Sequence, residues 1–315
     1  MSKKSYELDE LFSFSAEDVV AATKSNESKK VDEFIFSPKL SQAKDGTYRA
    51  LVRFIPHLEN GKPKFYFGVA SCYLQKADGT GGIFVKTPRE GKHWNDCPIS
   101  KVAYDLYKSG DPVKQQLGKQ INIQTNYYAL VQVIKDTVFP ENNGKVFAYK
   151  FGEIIRKKID EAMTGSEFTE AVNVFDVFDA PAFEINLAAS GKEINGNKVP
   201  TYDACKFISK TVGITLPSGS KVDASDNESK KELFDWLQSE ELQKINSYKF
   251  SPWDSETELR VKANLATYVD NINPVKTAEA QAEEFVSSVN TEEVDKSTSS
   301  NTETDDLDTF LDGIM

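Results

Sequence analysis

The stretch Pro140-Glu141-Asn142-Asn143-Gly144-Lys145-Val146-Phe147-Ala148-Tyr149-Lys150-Phe151-Gly152 decides how this chain is read. Asn-Gly ahead of an apolar run is a hairpin signal, because both central residues of a type I′ turn need positive φ. The residues after the glycine alternate. Period-2 geometry puts Lys145, Phe147, Tyr149 and Phe151 on one face of a strand and Val146, Ala148 and Lys150 on the other. An aromatic face that includes a lysine suits a binding platform.

Working outward, Asn-Gly recurs at Asn60-Gly61 and Asn195-Gly196, and strand-like runs surround all three. Thr47 to Ile55 stops at Pro56; Lys64 to Leu74, Gly82 to Lys86, Ile121 to Ile134 and Ala182 to Ala188 follow. Gly79-Thr80-Gly81-Gly82 leads into an apolar strand and reads as a turn, not a phosphate loop. Helical signals are fewer. Ser15-Ala16-Glu17-Asp18 resembles a capping box, and Pro98 to Gly110 reads as an amphipathic helix with Pro near N1. One helix is expected over Glu228 to Ile245 and another from Ser255 to about Val269. The expected class is α+β, with a β-rich core and flanking helices.

The charge is distributed unevenly along the chain. The 315 residues carry a formal net charge of −11, which by itself argues against a nucleic-acid partner. Residues 277–315 hold eleven acids and one base, a −10 tail, whereas residues 40–160 hold 19 bases and 11 acids, a local +8. Such a split points to an anionic ligand and an acidic tail. Beyond Pro274 the composition falls to Ala, Glu, Ser, Thr and Asp, a disorder signature.

Other classes are set aside on composition. No run approaches the eighteen apolar residues of a membrane span, and the start is too polar for a signal peptide, so a soluble protein without membrane partners is expected. Cys72, Cys97 and Cys205 make no disulfide framework and fit a reducing compartment. His57 and His93 are the only histidines, and neither P-loop nor nucleophile elbow is present, so no catalytic residues are assigned and no enzyme is expected.

Within the +8 region, aromatics interleave with bases: Phe65, Tyr66, Phe67, Tyr73, Phe84, Trp94, Tyr104, Tyr107, Tyr127 and Tyr128 lie among Arg53, Lys64, Lys86, Arg89, Lys92 and Lys101. Single-stranded nucleic acid is held by this combination, a basic groove along the phosphates and flat side chains against the bases. For any one aromatic a place in the core is the simpler reading; the collective density favours binding.

Several stretches resemble the T-even bacteriophage type of single-stranded DNA-binding protein, or helix-destabilising protein. They are Leu51-Val52-Arg53-Phe54-Ile55-Pro56, Asp96-Cys97-Pro98, Thr125-Asn126-Tyr127-Tyr128-Ala129, the Pro140 to Gly152 run, and Tyr202-Asp203-Ala204-Cys205-Lys206-Phe207. The resemblance covers roughly residues 45 to 210. It implies an OB-fold barrel with an inserted subdomain around 69–118, within a core of residues 31–275, binding single-stranded DNA cooperatively in phage replication, recombination and repair. The setting it implies is the cytoplasm of an infected bacterial host. The implied DNA contacts fall on Tyr127, Tyr128, Tyr149 and Tyr202, more loosely on Trp94 and Tyr107, with Arg53, Lys145 and Lys150 as basic positions. Single-stranded RNA binding or translational regulation on the same fold is the alternative, and a nucleic-acid enzyme a third.

The resemblance also implies a zinc site of one His and three Cys in the inserted subdomain, from which this chain departs. Ser100 and Pro88 stand at two cysteine positions, and only Cys72 and Cys97 remain as candidate ligands. A tetrahedral structural site needs four, so a zinc-free subdomain is expected, packed by Trp94, Ile99, Val102 and Leu106. At the ends, residues 1–30 form the expected arm for self-contacts along DNA, through Lys3, Lys4 and Ser5. Residues 276–315 form the expected recruiting tail, with Leu307, Phe310, Leu311 and Ile314 as an apolar tip for phage replication and recombination proteins.

Overall fold

In the computed structural model, residues 32–88, 97–194 and 196–272 are described, with side chains at all of these but 194, 197 and 269–272. The chain falls into two compact units, residues 1–35 and 36–315. Of the first, residues 32–35 are described, a turn in which the amides of Phe34 and Ile35 donate back to Asp32 at 3.1 and 3.0 Å. The capping box at Ser15 lies outside the described residues.

In chain order the strands are β1 (Ile35–Phe36), β2 (Tyr48–Ile55), β3 (His57–Glu59), β4 (Lys62–Lys64), β5 (Phe67–Gln75), β6 (Gly82–Lys86), β7 (Ile123–Asp136), β8 (Val146–Phe151), β9 (Ala180–Ile194), β10 (Asn197–Thr201) and β11 (Lys206–Val212). Six α-helices are described: α1 (Pro98–Lys108), α2 (Pro112–Gln120), α3 (Glu153–Thr164), α4 (Asn227–Leu237), α5 (Glu240–Gln243) and α6 (Ser255–Ile272). The mixed, sheet-rich class agrees with the sequence. The main sheet runs β8-β7-β2-β9-β10, with β11 also on β9, β5 on β7 and β6 on β5. Its ladders are antiparallel.

The expected closed barrel is not found among the described residues. The ladder is a path that no pairing closes. Both strands at its β9 end pair irregularly, β10 shifting register between Lys198 and Pro200 and β11 between Phe207 and Thr211. Irregularities of this kind bend a strand and end pairing.

The turn between β7 and β8 is not the type I′ hairpin expected from Asn143-Gly144. Asn143 has φ −59° and ψ 131° and only Gly144 has positive φ, at 84°, which is type II geometry. Asp136 organises the loop, its Oδ1 accepting from the amides of Val138 and Phe139 and its Oδ2 from Tyr48 Oη at 2.6 Å and Asn142 Nδ2 at 3.0 Å. Asn60-Gly61 does form the expected turn, with φ of 52° and 73°, joining β3 to β4.

Two cores result. One surrounds Phe54, whose ring meets Phe151, Phe175, Phe183 and Phe207 at 5.5–6.2 Å. The second lies under the β5–β6 hairpin, where Cys72, Leu74, Ile83 and Val85 meet Ile99 and Leu106 of α1 and Val261, Leu265 and Tyr268 of α6. Helix α1 has the expected Pro at N1, and the Cys97 thiol caps it by accepting from the Ser100 amide at 3.5 Å. The single helix expected from Glu228 to Ile245 is broken at Gln238, and Ser239 restarts it as the cap of α5. Helix α6 is capped by Asp254, whose Oδ1 accepts from Thr257 N–H at 2.7 Å.

Candidate nucleic-acid interface

Strand β7 carries the expected contact residues Tyr127 and Tyr128, and alternation sends them to opposite faces. Tyr127 pairs with Gly68 on one side and Phe151 on the other. Its ring stacks on Phe151 at 5.9 Å, meets Tyr66 edge-on at 5.9 Å, and lies 5.7 Å from the Arg156 guanidinium. Its hydroxyl donates to Glu153 Oε2 at 3.0 Å, and Tyr66 donates to Asp160 Oδ1 at 2.6 Å. Arg156 pairs with both carboxylates. Burial, then the bond to Glu153, pushes the Tyr127 phenol up to about 12. Glycine at 68 makes room for this arrangement, since a Cβ there would sit 3.2 Å from the Tyr127 ring and 3.1 Å from Thr125 Cγ2.

Tyr128 stands in a column of rings. Phe67 stacks on it at 5.7 Å and 17°, and Tyr248 at 5.2 Å and 7°. Lys249 places its ammonium 5.1 Å from the Phe67 centroid and pairs with Glu59 at 2.6 Å. His57 meets Phe67 edge-on at 5.5 Å, and burial followed by Lys249 holds its imidazolium down at about 4. The segment carrying Tyr248 is anchored across β6: Lys86 Nζ donates to the carbonyls of Ser247 and Lys249 at 3.2 Å, and Trp253 Nε1 donates to Lys86 O at 2.7 Å.

Three contact residues implied by the resemblance, Tyr149, Arg53 and Tyr128, are buried in the folded chain. Tyr149 is 1% exposed and Arg53 is 0% exposed. The face of β8 read as a platform is core, because Phe36 and the Phe54 cluster cover Tyr149 and Phe151 while Val146 and Ala148 are also buried. Arg53 instead reaches inward, donating to the carbonyls of Asp176 and Val212, and burial lowers its pKa to about 10 despite Asp176 and Asp179. Tyr128 is 8% exposed and stacks with both Phe67 and Tyr248.

Lys145 and Lys150 are exposed and carry no ion pair among the described residues; Tyr107 and Tyr202 are half-buried. Trp94, Lys3, Lys4, Ser5, Leu307, Phe310, Leu311 and Ile314 lie outside the described residues. Sequence reasoning missed Tyr248 and Lys249. The signal was local, the run Tyr248-Lys249-Phe250-Ser251-Pro252-Trp253, hidden inside a segment whose overall charge is acidic.

The zinc site implied by the resemblance would draw on Cys72 and Cys97, both buried as free thiols. Cys97 caps a helix, Pro88 has no ligating atom, and Cys72 is buried beneath the β5–β6 hairpin. Among the described residues no group of three or more His, Cys, Asp or Glu could hold a metal ion. His93 lies outside them.

The family described as gp32 DNA binding protein like matches residues 45–262. The single-stranded DNA-binding protein of Enterobacteria phage T4 is 29% identical over 201 residues, and that of Enterobacteria phage T2 is 27% identical over 208. Each match takes in 63% of this chain, which spans 60% of the length of these relatives.

Proposed function

Because the chain belongs to the gp32 DNA binding protein like family, we propose that it binds single-stranded DNA, cooperatively and without sequence preference, during phage DNA replication, recombination and repair. The observation that carries this reading is the sheet surface of β5, β7 and β8, where Phe67 and Tyr127 stay partly exposed together with exposed Lys145 and Lys150, all within residues 40–160, a stretch of +8 net charge. Base stacking on such rings is indifferent to sequence, and lysines supply the attraction to phosphate. The chain acts by binding and not by catalysis.

Finer parts of the reading follow from the same family. The sheet is taken as an OB-type platform, left open, with the β5–α2 region as its insertion. That insertion stands without zinc, an idea supported by the packing of Val261, Leu265 and Tyr268 against Cys72 and Ile99. The arm with Lys3, Lys4 and Ser5 contacts the neighbouring molecule along DNA. The −10 tail competes with DNA for the basic core and recruits replication proteins through Leu307, Phe310, Leu311 and Ile314. Among the described residues no helix is long and apolar enough to cross a membrane.

Fluorescence titration with poly(dT), poly(U) and duplex DNA across salt concentrations tests the reading. Single-strand preference, a steep loss of affinity with salt and quenched aromatic emission are expected. Equal binding to duplex would overturn it; preference for poly(U) would move it to RNA. Truncation after Val275 is expected to raise affinity at low salt and abolish recruitment, and metal analysis is expected to find no zinc.

A further inference from the structure

We infer that Tyr73 and Phe84, on the β5–β6 hairpin, form a base-stacking site for single-stranded DNA. This rests on the single-strand reading above and adds a contact outside the residues that the resemblance implies. Tyr73 and Phe84 are direct cross-strand partners. They are 54% and 59% exposed, while their neighbours Cys72, Leu74, Ile83 and Val85 are buried in the core beneath. Two large rings left in water side by side on a rigid hairpin are unusual for a surface with no ligand.

The Tyr73 ring is held in place by a glycine. A Cβ at Gly82 would stand 2.8 Å from Tyr73 Cζ and 2.9 Å from Cε1, so the ring lies over the backbone of β6 in space that a side chain at 82 would take. Register carries the same face across the sheet. Phe67, Ser71 and Tyr73 of β5 share it with Phe84 and Lys86 of β6 and with Gln124, Asn126 and Tyr128 of β7. The ring column at Tyr128 and the exposed pair therefore stand at two ends of one sheet face, of which Tyr73, Phe84 and Gln124 are the exposed members.

The chemistry of that surface selects the occupant. Among these face residues there is no carboxylate, and the one charge is Lys86, whose ammonium is held by neutral carbonyls of Ser247 and Lys249. Exposed Gln124 and half-buried Asn126 supply neutral donors and acceptors between the two ends, while Ser71 is buried. Flat rings, a cation without a counter-carboxylate and neutral amides suit bases carried on a phosphate chain.

The test is poly(dT) titration of the full-length chain carrying Tyr73→Ala, Phe84→Ala, or both, with Tyr73→Phe and Phe84→Trp as retaining variants and Phe168→Ala as a control at another exposed ring. Each alanine substitution is expected to weaken binding about fivefold or more, with thermal midpoint nearly unchanged; the retaining variants and the control are expected to bind as the unsubstituted chain. Ultraviolet crosslinking of oligo(dT) to the unsubstituted chain is expected to mark the peptide containing Tyr73 or Phe84. Unchanged affinity of the double variant while the unsubstituted chain binds poly(dT) would overturn this inference alone. An equal loss in Phe168→Ala would do the same, as would loss of self-association in the double variant at unchanged affinity per chain. No binding by the unsubstituted chain would overturn the functional reading with it.

Discussion

The rings of Tyr128 and Tyr248 lie 5.2 Å apart and 7° from parallel, joining the central strand β7 to a segment that follows α5. Phe67 also stacks on Tyr128, at 5.7 Å and 17°. Removing Tyr128 therefore removes two stacked contacts, and removing Tyr248 removes one of them. Tyr128→Ala is expected to cost about 3 kcal/mol of stability and Tyr248→Ala about 1–2 kcal/mol. Chemical denaturation of both variants gives the order; the reverse order would show that Tyr128 is not the centre of the column.

Tyr149 separates packing from hydroxyl chemistry. Its ring is buried against Phe36 and Phe151, and its hydroxyl has no hydrogen-bond partner among the described residues. Tyr149→Ala is expected to cost about 3–5 kcal/mol. Tyr149→Phe, which deletes a buried unsatisfied hydroxyl, is expected to be neutral or stabilising by up to about 1 kcal/mol. Loss of DNA affinity by a fully folded Tyr149→Phe variant would instead make the hydroxyl a contact.

Arg53 behaves as a clamp. Its guanidinium joins the carbonyls of Asp176 and Val212, two segments distant in sequence. Arg53→Met leaves both carbonyls without their donor, at a cost of about 2–5 kcal/mol. The salt dependence of poly(dT) binding by the folded fraction is expected to be unchanged. A reduced slope would place Arg53 on the phosphate backbone.

His57 sets an acid limit. An unfolded imidazole titrates near 6.5, whereas the buried ring of the folded chain is held at about 4. Between those values the unfolded state binds the proton and the folded state does not, so stability falls as pH drops through this window. The loss from this group is about 2 kcal/mol on going from pH 7.5 to pH 5. His57→Phe is expected to flatten the fall in thermal midpoint over that range; an equal fall in the variant would assign it to the carboxylates.

Lys145 and Lys150 are exposed on either end of β8. Each alanine substitution is expected to weaken binding evenly across poly(dT), poly(dA) and mixed sequences and to reduce the salt slope by about 0.7–1. A sequence-dependent loss would mean that the lysines read bases.

Much of the local structure was legible from the residues themselves. Alternation at Thr47–Ile55, Gly82–Lys86 and Ile121–Ile134 and the Pro98 start of a helix all appear within a few positions of expectation. Missed were α2 and α3, β10 and β11, and the break at Gln238. The expected turn type at Asn143 failed because Asp136 and Tyr48 hold that loop by contacts from outside it.

The candidate site was legible in kind and less so in detail. Aromatic density among lysines and the charge split pointed to a nucleic-acid partner, and the Pro140–Gly152 run carried the resemblance to a family, because these are properties of composition and order. Which rings face outward was decided only in three dimensions. Alternation assigns Tyr149 to a face but not what covers that face; Phe36 and the Phe54 cluster cover it, while Tyr73 on β5 stays 54% exposed. Tyr248 reaches Tyr128 because Lys86 and Trp253 tie its segment across β6, a relation between residues over a hundred positions apart that no local pattern encodes.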